Sequence, residues 1–139
     1  MVQYVRDVMS GEPVAVAADA SVTEIAGRMR DQDIGAVLVT DDDRLVGVVT
    51  DRDLVTRFLA DGGDPDAVTA EAVATPAEFT VDPGDDLDGA VALMRDNAVR
   101  RLPVVQDGVP VGIVSLGDLA MERDEHSALA DISAAEPNG

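Results

Sequence analysis

Two short phrases place a hydroxyl side chain three residues before a carboxylate, directly after a run of small apolar residues. They are GVVTDRDL at Gly47–Leu54 and GIVSLGDL at Gly112–Leu119. If each phrase spans the end of a strand and the start of a helix, the free N–H groups of that helix attract an anion such as phosphate. The hydroxyl can then contact the phosphate, and the carboxylate can accept two hydrogen bonds from a sugar diol. The candidate residues are Thr50 and Asp53 in the first phrase and Ser115 and Asp118 in the second.

The same spacing also has a purely structural explanation. A Ser or Thr followed three residues later by an acid forms a capping box at the start of a helix, although Glu is the usual acid. Ser21 and Glu24 show that spacing elsewhere in the chain. Gly47 and Gly112 each lie three residues before the hydroxyl, where another backbone can approach closely. A ligand can bind to the same hydroxyl and carboxylate that cap the helix, so the two explanations do not exclude each other.

The two phrases belong to an internal repeat, which is the first feature to seek in a new sequence. When the sequence is shifted by 65 positions, Val8–Leu54 aligns with Val73–Leu119 without a gap, and 12 of the 47 aligned positions are identical. The identical pairs include the tripeptide Met-Arg-Asp at Met29–Asp31 and Met94–Asp96. The 139 residues therefore hold two similar units, each of which would be marginally stable alone.

Each copy is predicted to fold as strand, helix, strand, strand, helix, from apolar spacing and turn residues. For the first copy we predict a strand at Pro13–Ala17, a helix from Ser21, strands at Gly35–Thr40 and Leu45–Val49 around a turn at Asp41–Arg44, and a helix at Asp51–Ala60. For the second copy we predict a strand near Phe79–Val81, a helix containing Leu87, Val91 and Met94, strands at Arg101–Val105 and Val111–Val114 around a turn at Gln106–Pro110, and a helix from about Leu116.

These elements suggest a division of the chain into repeats. The predicted segments are repeat 1 (residues 1–62), a linker helix (63–72), repeat 2 (73–122) and a C-terminal helix and tail (123–139). Pro65 is expected near the first turn of the linker helix, where its missing N–H costs nothing. Met29 and Met94 lie on apolar stripes and are expected in the core. With one Tyr, two Phe and no Trp, the core must be aliphatic.

The charge of the chain excludes several classes of partner. It carries 28 acidic and 10 basic residues, and a net charge of −18 excludes nucleic acid and anionic membrane surfaces. Lys is absent and Asp supplies 21 of the acids. Such a composition resembles that of proteins from extreme halophiles, where molar salt screens the self-repulsion. Because the sequence also lacks Cys, a membrane-length apolar run and a signal-peptide pattern, we expect a cytoplasmic protein.

The order, spacing and duplication of these phrases resemble a pair of CBS domains, a family named after cystathionine beta-synthase. Further matching phrases are DVMSGEPVAV at Asp7–Val16, MRDQDIGAVLV at Met29–Val39 and RRLPVV at Arg100–Val105. The resemblance implies an α/β (α+β) fold of tandem repeats, each β-α-β-β-α, related by a pseudo-two-fold axis and packed through their sheets as a Bateman module. It also implies clefts between the repeats that bind AMP, ADP, ATP, S-adenosylmethionine or NAD.

The resemblance further implies roles for individual residues. In such domains the hydroxyl lies near the phosphate or ribose, and the Asp takes the ribose hydroxyls. Carried across, these are Thr50 and Asp53 in one cleft, and Ser115 and Asp118 in the other. An apolar residue before the central strand clamps the base, which here would be Ile34 or Val99, with Val14 and Phe79 as weaker candidates.

Three Arg residues are candidate phosphate contacts. A strongly acidic protein that binds a polyanion must concentrate its few cations near that anion, and guanidinium matches phosphate with two parallel hydrogen bonds. The candidates are Arg52, Arg100 and Arg101. Alternatively, Arg100 and Arg101 are surface residues paired with nearby acids. Because the two copies differ at these positions, one cleft is expected to bind better than the other.

The sequence therefore predicts a regulatory module that senses an adenine nucleotide by binding, without catalytic residues, resident cofactor or metal. Members of the family commonly form homodimers, so we expect a homodimer that controls a protein partner the sequence does not identify. The competing hypothesis is a dimerisation or scaffold module whose two phrases are caps only. An enzyme is the third hypothesis and the weakest, because the single His, His126, lies in an acidic tail and no phosphate-binding Gly loop is present.

Overall fold

The computed structural model describes residues 3–123. Its helical segments are a 3₁₀ turn (Val5–Asp7), α1 (Val22–Gln32), α2 (Asp51–Asp53) continued by a π-helical segment (Leu54–Leu59), α3 (Ala70–Val73), α4 (Leu87–Asn97) and α5 (Leu116–Arg123). Its strands are β1 (Ser10–Gly11), β2 (Ala15–Ala17), β3 (Ala36–Asp41), β4 (Arg44–Thr50), β5 (Thr75–Pro76), β6 (Arg101–Gln106) and β7 (Val109–Ser115). The predicted C-terminal helix and tail, with His126, lie outside the described residues.

The chain forms two compact units with one sheet each, as the predicted mixed α/β fold requires. Residues 13–78 form one unit, and its sheet has the order β2-β3-β4-β5. Residues 3–12 and 79–123 belong to the other unit, whose sheet has the order β1-β7-β6. No helix among residues 3–123 is long and apolar enough to cross a membrane.

Each long helix is fixed at both ends by local chemistry. Ser21 Oγ caps α1 by accepting a hydrogen bond from the Glu24 amide at 3.1 Å. Asp86 caps α4 by accepting one from the Gly89 amide at 2.7 Å. Both helices end where a residue adopts a left-handed conformation, with φ of 53° at Asp33 in the first copy. The start of α1 agrees with the sequence prediction to within a residue, and α4 contains Leu87, Val91 and Met94 as predicted.

The two β-hairpins also follow from their turn residues. In the first hairpin Asp42 and Asp43 have φ of 54° and 66°, and in the second Asp107 and Gly108 have φ of 55° and 84°. Two central residues with positive φ give a turn whose twist matches that of the flanking strands, and Asp and Gly tolerate this conformation best. Both predicted turns are therefore confirmed.

Each unit has its own aliphatic core. In the unit formed by residues 13–78 the core consists of Val16, Val22, Ile25, Val37, Val39, Val49, Ala70 and Val73. In the other unit it consists of Val5, Val81, Leu87, Ala90, Met94, Leu102, Val104, Val114 and Leu119. Met94 is buried as predicted, and Met29 packs against the first core from a partly buried position.

The first short strand of each copy belongs to the structural unit that contains most of the other copy. β1 pairs with β7, and β5 pairs with β4, both antiparallel. By the repeat spacing, Ser10–Gly11 and Thr75–Pro76 are equivalent segments. The structural units consequently divide after residues 12 and 78. The division at residues 62 and 73 follows the duplicated sequence and remains a prediction of repeat boundaries.

Three local predictions are corrected by the structure. The linker is helical only at Ala70–Val73, and residues 64–68 form a single turn in which the amides of Ala67 and Val68 both bond to the Asp64 carbonyl. No strand forms at Phe79, since only Val81 bridges to the sheet, by a parallel contact with Val104. The helix predicted at Asp51–Ala60 exists, but most of it is π-helical.

Candidate functional site

The predicted binding residues of the first copy lie along one edge of the sheet in the unit of residues 13–78. β3 begins and β4 ends at this edge, where Ala36 faces Thr50 in the ladder. The Gly35 carbonyl accepts a hydrogen bond from the Asp51 amide at 2.9 Å, which fixes the start of α2 beside Ile34. The Val14 carbonyl accepts one from the Leu38 amide at 2.9 Å, so the start of β2 lies alongside β3.

The second set occupies the equivalent edge in the other unit. β6 begins and β7 ends there, and Arg101 faces Ser115 in the ladder. The Arg100 carbonyl accepts a hydrogen bond from the Leu116 amide at 2.8 Å, which fixes the start of α5. Val81 bridges to Val104, so Phe79 lies two residues before that bridge. Each unit thus brings the predicted residues of one copy to a single sheet edge.

Both phrases form complete capping boxes. Thr50 Oγ1 accepts from the Asp53 amide at 3.1 Å, and the Thr50 amide donates to Asp53 Oδ2 at 2.9 Å. Ser115 Oγ accepts from the Asp118 amide at 3.1 Å, and the Ser115 amide donates to Asp118 Oδ2 at 3.0 Å. The structural explanation of the phrases is therefore confirmed. Each hydroxyl keeps its own proton to donate, and each Asp keeps a second oxygen, Oδ1.

The second carboxylate oxygen distinguishes the two copies. Asp53 Oδ1 accepts a hydrogen bond from Thr75 Oγ1 at 3.4 Å and lies 3.7 Å from Arg57 Nε. Arg57 Nη1 also donates to the Ala74 carbonyl at 3.1 Å, so it joins the π-helical segment to the residue before β5. Among the side chains of residues 3–120, none forms a hydrogen bond or ion pair with Asp118 Oδ1. Our sequence interpretation missed both Arg57 and Thr75.

The apolar candidates line the margins of the two cores. Val14 and Ile34 are half-buried against the core of their unit. Val99 and Phe79 are half-buried against the core of the other unit. Each therefore exposes part of an apolar side chain near a capping box, which is the property that a base-contacting residue needs.

The three Arg candidates have different surroundings. Arg52 and Arg100 are exposed, and neither guanidinium forms an ion pair with another residue in the described part of the chain. Arg101 is half-buried, directly across the ladder from Ser115, and takes part in a polar contact of its own. In the first copy the position across the ladder from the hydroxyl residue is Ala36, so only the second copy has a cation there.

A groove of about 580 Å³ lies elsewhere on the unit of residues 13–78, between α1 and the π-helical segment. Small and apolar side chains line it, including Ala26, Gly27 and Phe58. At its rim, Val55 and Leu59 expose 56% and 68% of their surfaces, so two large aliphatic side chains border the groove. Among residues 3–123, no group of three or more His, Asp or Glu side chains could hold a metal ion.

Comparison with known proteins agrees with this architecture. A crystal structure of Hypoxic Response Protein I with two coordinated zinc ions has a TM-score of 0.78 and 36% identity, covering 90% of this chain and 99% of that one. A crystal structure of CBSX2 in complex with AMP has a TM-score of 0.75 and 27% identity, covering 88% of this chain and 96% of that one.

The sequence relatives lead to the same family. Hypoxic response protein 1 of Mycobacterium tuberculosis is 37% identical over 130 residues, which span 93% of this chain and 91% of that protein. The family model described as CBS domain matches twice, at residues 5–60 and 70–125. The resemblance noted in the sequence is therefore confirmed: the chain belongs to the CBS domain family and carries two copies of that domain.

Proposed function

We propose that this chain is a regulatory module that binds an adenine-containing nucleotide, in a salt-rich cytoplasm. The observation that carries the proposal is the second capping box, in which Asp118 Oδ1 accepts no bond from the side chains of residues 3–120 while the Ser115 hydroxyl keeps a proton to donate. A carboxylate oxygen beside a free hydroxyl matches a ribose next to a phosphate. Support also comes from CBSX2, a protein of the same fold whose structure contains AMP.

The proposed roles follow from the chemistry of each side chain. The hydroxyls of Thr50 and Ser115 contact phosphate or ribose, and the carboxylates of Asp53 and Asp118 accept hydrogen bonds from ribose. The base lies against apolar surface supplied by Val14 and Ile34 in the first copy, or by Phe79 and Val99 in the second. The phosphate is held by Arg52 in the first copy, or by Arg100 and Arg101 in the second, because Arg supplies all ten basic residues of this acidic chain.

The proposed mechanism is binding without chemical turnover. A bound nucleotide shifts the population of conformations only by its difference in affinity between them. A regulated partner would sense that shift. We further propose that the chain acts as a homodimer, and the exposed apolar side chains of Val55 and Leu59 support a contact between copies. Sedimentation equilibrium would then give about twice the chain mass of 14.5 kDa.

Thermal denaturation in molar KCl tests the binding proposal. AMP, ADP, ATP, S-adenosylmethionine and NAD would each be added separately, and a nucleotide at 100 times its dissociation constant should stabilise the fold by about 2.7 kcal/mol. Asp118→Asn should reduce that stabilisation, because a neutral amide accepts the diol hydrogen bonds more weakly than a carboxylate. Asp96→Asn is the matched control, since Asp96 is exposed on α4 and outside the sheet edge.

A second candidate function is a scaffold that binds no nucleotide. The complete capping boxes favour it, because they give Thr50, Asp53, Ser115 and Asp118 a sufficient structural purpose. In that case all five nucleotides would leave the denaturation midpoint unchanged, while the dimer mass would persist. Zinc ions should be added to a separate sample in the same denaturation experiment, because the structure of the similar Hypoxic Response Protein I contains two coordinated zinc ions.

A further inference from the structure

We infer that the two copies are unequal nucleotide sites, because Arg57 and Thr75 occupy the Asp53 oxygen that a ribose would need. The inference rests on the proposed function and specifies it: the native chain takes one nucleotide, at the Ser115–Asp118 edge. Arg57 is then a positioning residue. By pairing with Asp53 it prevents the first copy from binding a ribose, and it does not itself touch the nucleotide.

In each copy, a ribose and the protein's own side chains would compete for one carboxylate oxygen, Oδ1 of Asp53 or Asp118. In both capping boxes Oδ2 accepts the amide of the hydroxyl residue, at 2.9 Å for Asp53 and 3.0 Å for Asp118. The box engages one of the two lone pairs of Oδ2, whereas Oδ1 lies outside the box and can offer both of its lone pairs to a diol. The two copies therefore differ in how readily Oδ1 can accept hydrogen bonds from a ribose.

In the first copy this atom is enclosed by its own unit. The Thr75 hydroxyl donates to Asp53 Oδ1 at 3.4 Å, and Arg57 Nε lies 3.7 Å from it. The Asp53 side chain is only 13% exposed, so this ion pair is less screened by water than a surface pair. Arg57 is itself held by its bond to the Ala74 carbonyl at 3.1 Å. A diol would have to displace the hydroxyl and compete with the guanidinium.

The second copy has neither of these groups in place. By the repeat spacing of 65, the position of Arg57 is taken by Glu122, a residue of opposite charge. The counterpart of Thr75 is Ser10, and within residues 3–123 no hydrogen bond joins Ser10 to Asp118. The second copy therefore has no Arg four residues after its Asp, while Arg101 lies across the ladder from Ser115.

Isothermal titration with AMP in molar KCl tests the inference. Wild type should bind one AMP per chain, Asp118→Asn should weaken that binding at least tenfold, and Asp96→Asn, at an exposed residue of α4, should leave it within twofold. The double variant R57M/T75V removes the guanidinium and the hydroxyl but keeps apolar volume at both positions. It should bind a second AMP, so that the stoichiometry rises from one to two.

The control is Arg95→Met, which removes one exposed Arg from α4 and changes the net charge by the same amount as Arg57→Met. It should leave the stoichiometry at one. Circular dichroism must show that R57M/T75V unfolds cooperatively. If that variant is unfolded, Arg57→Met alone is titrated and should show the second site with lower affinity.

Three results would overturn the inference. The first is two equal sites in wild type. The second is a weakening of AMP binding by Asp96→Asn as large as that by Asp118→Asn. The third is a stoichiometry of one in folded R57M/T75V. The proposed function fails separately, when neither wild type nor R57M/T75V binds AMP or any of the other four nucleotides. That result would remove the basis of the inference as well, whereas the first three leave nucleotide binding intact.

Discussion

The carbonyl oxygen of Ser10 lies 2.8 Å from the position that a Cβ atom on Gly112 would occupy. Gly112 is the first residue of the second repeated phrase, and Ser10 belongs to β1, the short strand that pairs with β7. At Gly47 the carbonyl oxygen of Thr75 lies slightly farther from the corresponding Cβ position, at 3.0 Å. The backbone that approaches each glycine is therefore that of the chain itself.

Gly112→Ala should destabilise the protein by about 1–3 kcal/mol, because a backbone oxygen cannot move aside as a flexible side chain can. Urea denaturation followed by circular dichroism measures this change. Gly27→Ala is the control: its Cβ would meet no atom closer than 3.9 Å, and Ala in a helix is favoured by about 0.5–1 kcal/mol. Equal midpoints for the two variants would show that the close approach at Gly112 has no energetic cost.

The capping boxes predict a second change in stability. Ser115→Ala and Thr50→Ala should each cost about 1 kcal/mol without any nucleotide present, because each removes the acceptor of a helix-start amide. Thr80→Ala is a suitable control, since Thr80 is exposed and its hydroxyl has no hydrogen-bond partner among residues 3–123. Loss of nucleotide binding with unchanged stability would contradict the capping role of the hydroxyls.

Local chemistry explains why much of the fold could be predicted from the sequence. The start of α1 depends on the Ser21 side chain and an amide three residues away. The hairpin turns depend on residues such as Asp42 and Asp43 that accept positive φ. Such features need only a few adjacent residues, so the pattern of residue types was sufficient to predict them.

Contacts between distant segments explain what the sequence could not predict. The linker contains good helix formers, but the Val68 carbonyl accepts the Val22 amide at 3.0 Å, and this pairing holds residues 64–68 in a turn. At the candidate site, Arg57 lies four residues after Asp53, and that spacing was visible in the sequence. Thr75 lies 22 residues from Asp53, and only the pairing of β5 with β4 brings its hydroxyl to the carboxylate.

The repeated Met-Arg-Asp tripeptide gives a prediction about titration. Arg30 Nε donates to Asp31 Oδ1 at 2.9 Å, and this hydrogen bond with the adjacent positive charge lowers the pKa of the Asp31 carboxyl below its ordinary value. Because the folded-state pKa is depressed, the pair favours the fold above the unfolded-state pKa of Asp31, and that contribution disappears as pH falls through the folded-state pKa.

Arg30→Gln should therefore raise the pKa of Asp31 toward its ordinary value, as followed by the carboxyl ¹³C shift in an NMR titration. Arg95→Gln removes the equivalent Arg of the second copy and should leave the Asp31 titration unchanged. An Asp31 titration that is the same in wild type and Arg30→Gln would show that the pair does not persist in solution.

The net charge of −18 predicts that the fold is stabilised by salt. Raising KCl from 0.1 M to 2 M shortens the screening length from about 10 Å to under about 3 Å, so repulsion among the exposed acids fades and the urea midpoint should rise. The variant D42N/D43N lowers the net charge to −16 at two turn positions where Asn tolerates positive φ, and its midpoint should rise less between the same salt concentrations. A midpoint that falls with KCl, or an equal rise in both proteins, would show that like-charge repulsion does not limit the stability of this fold.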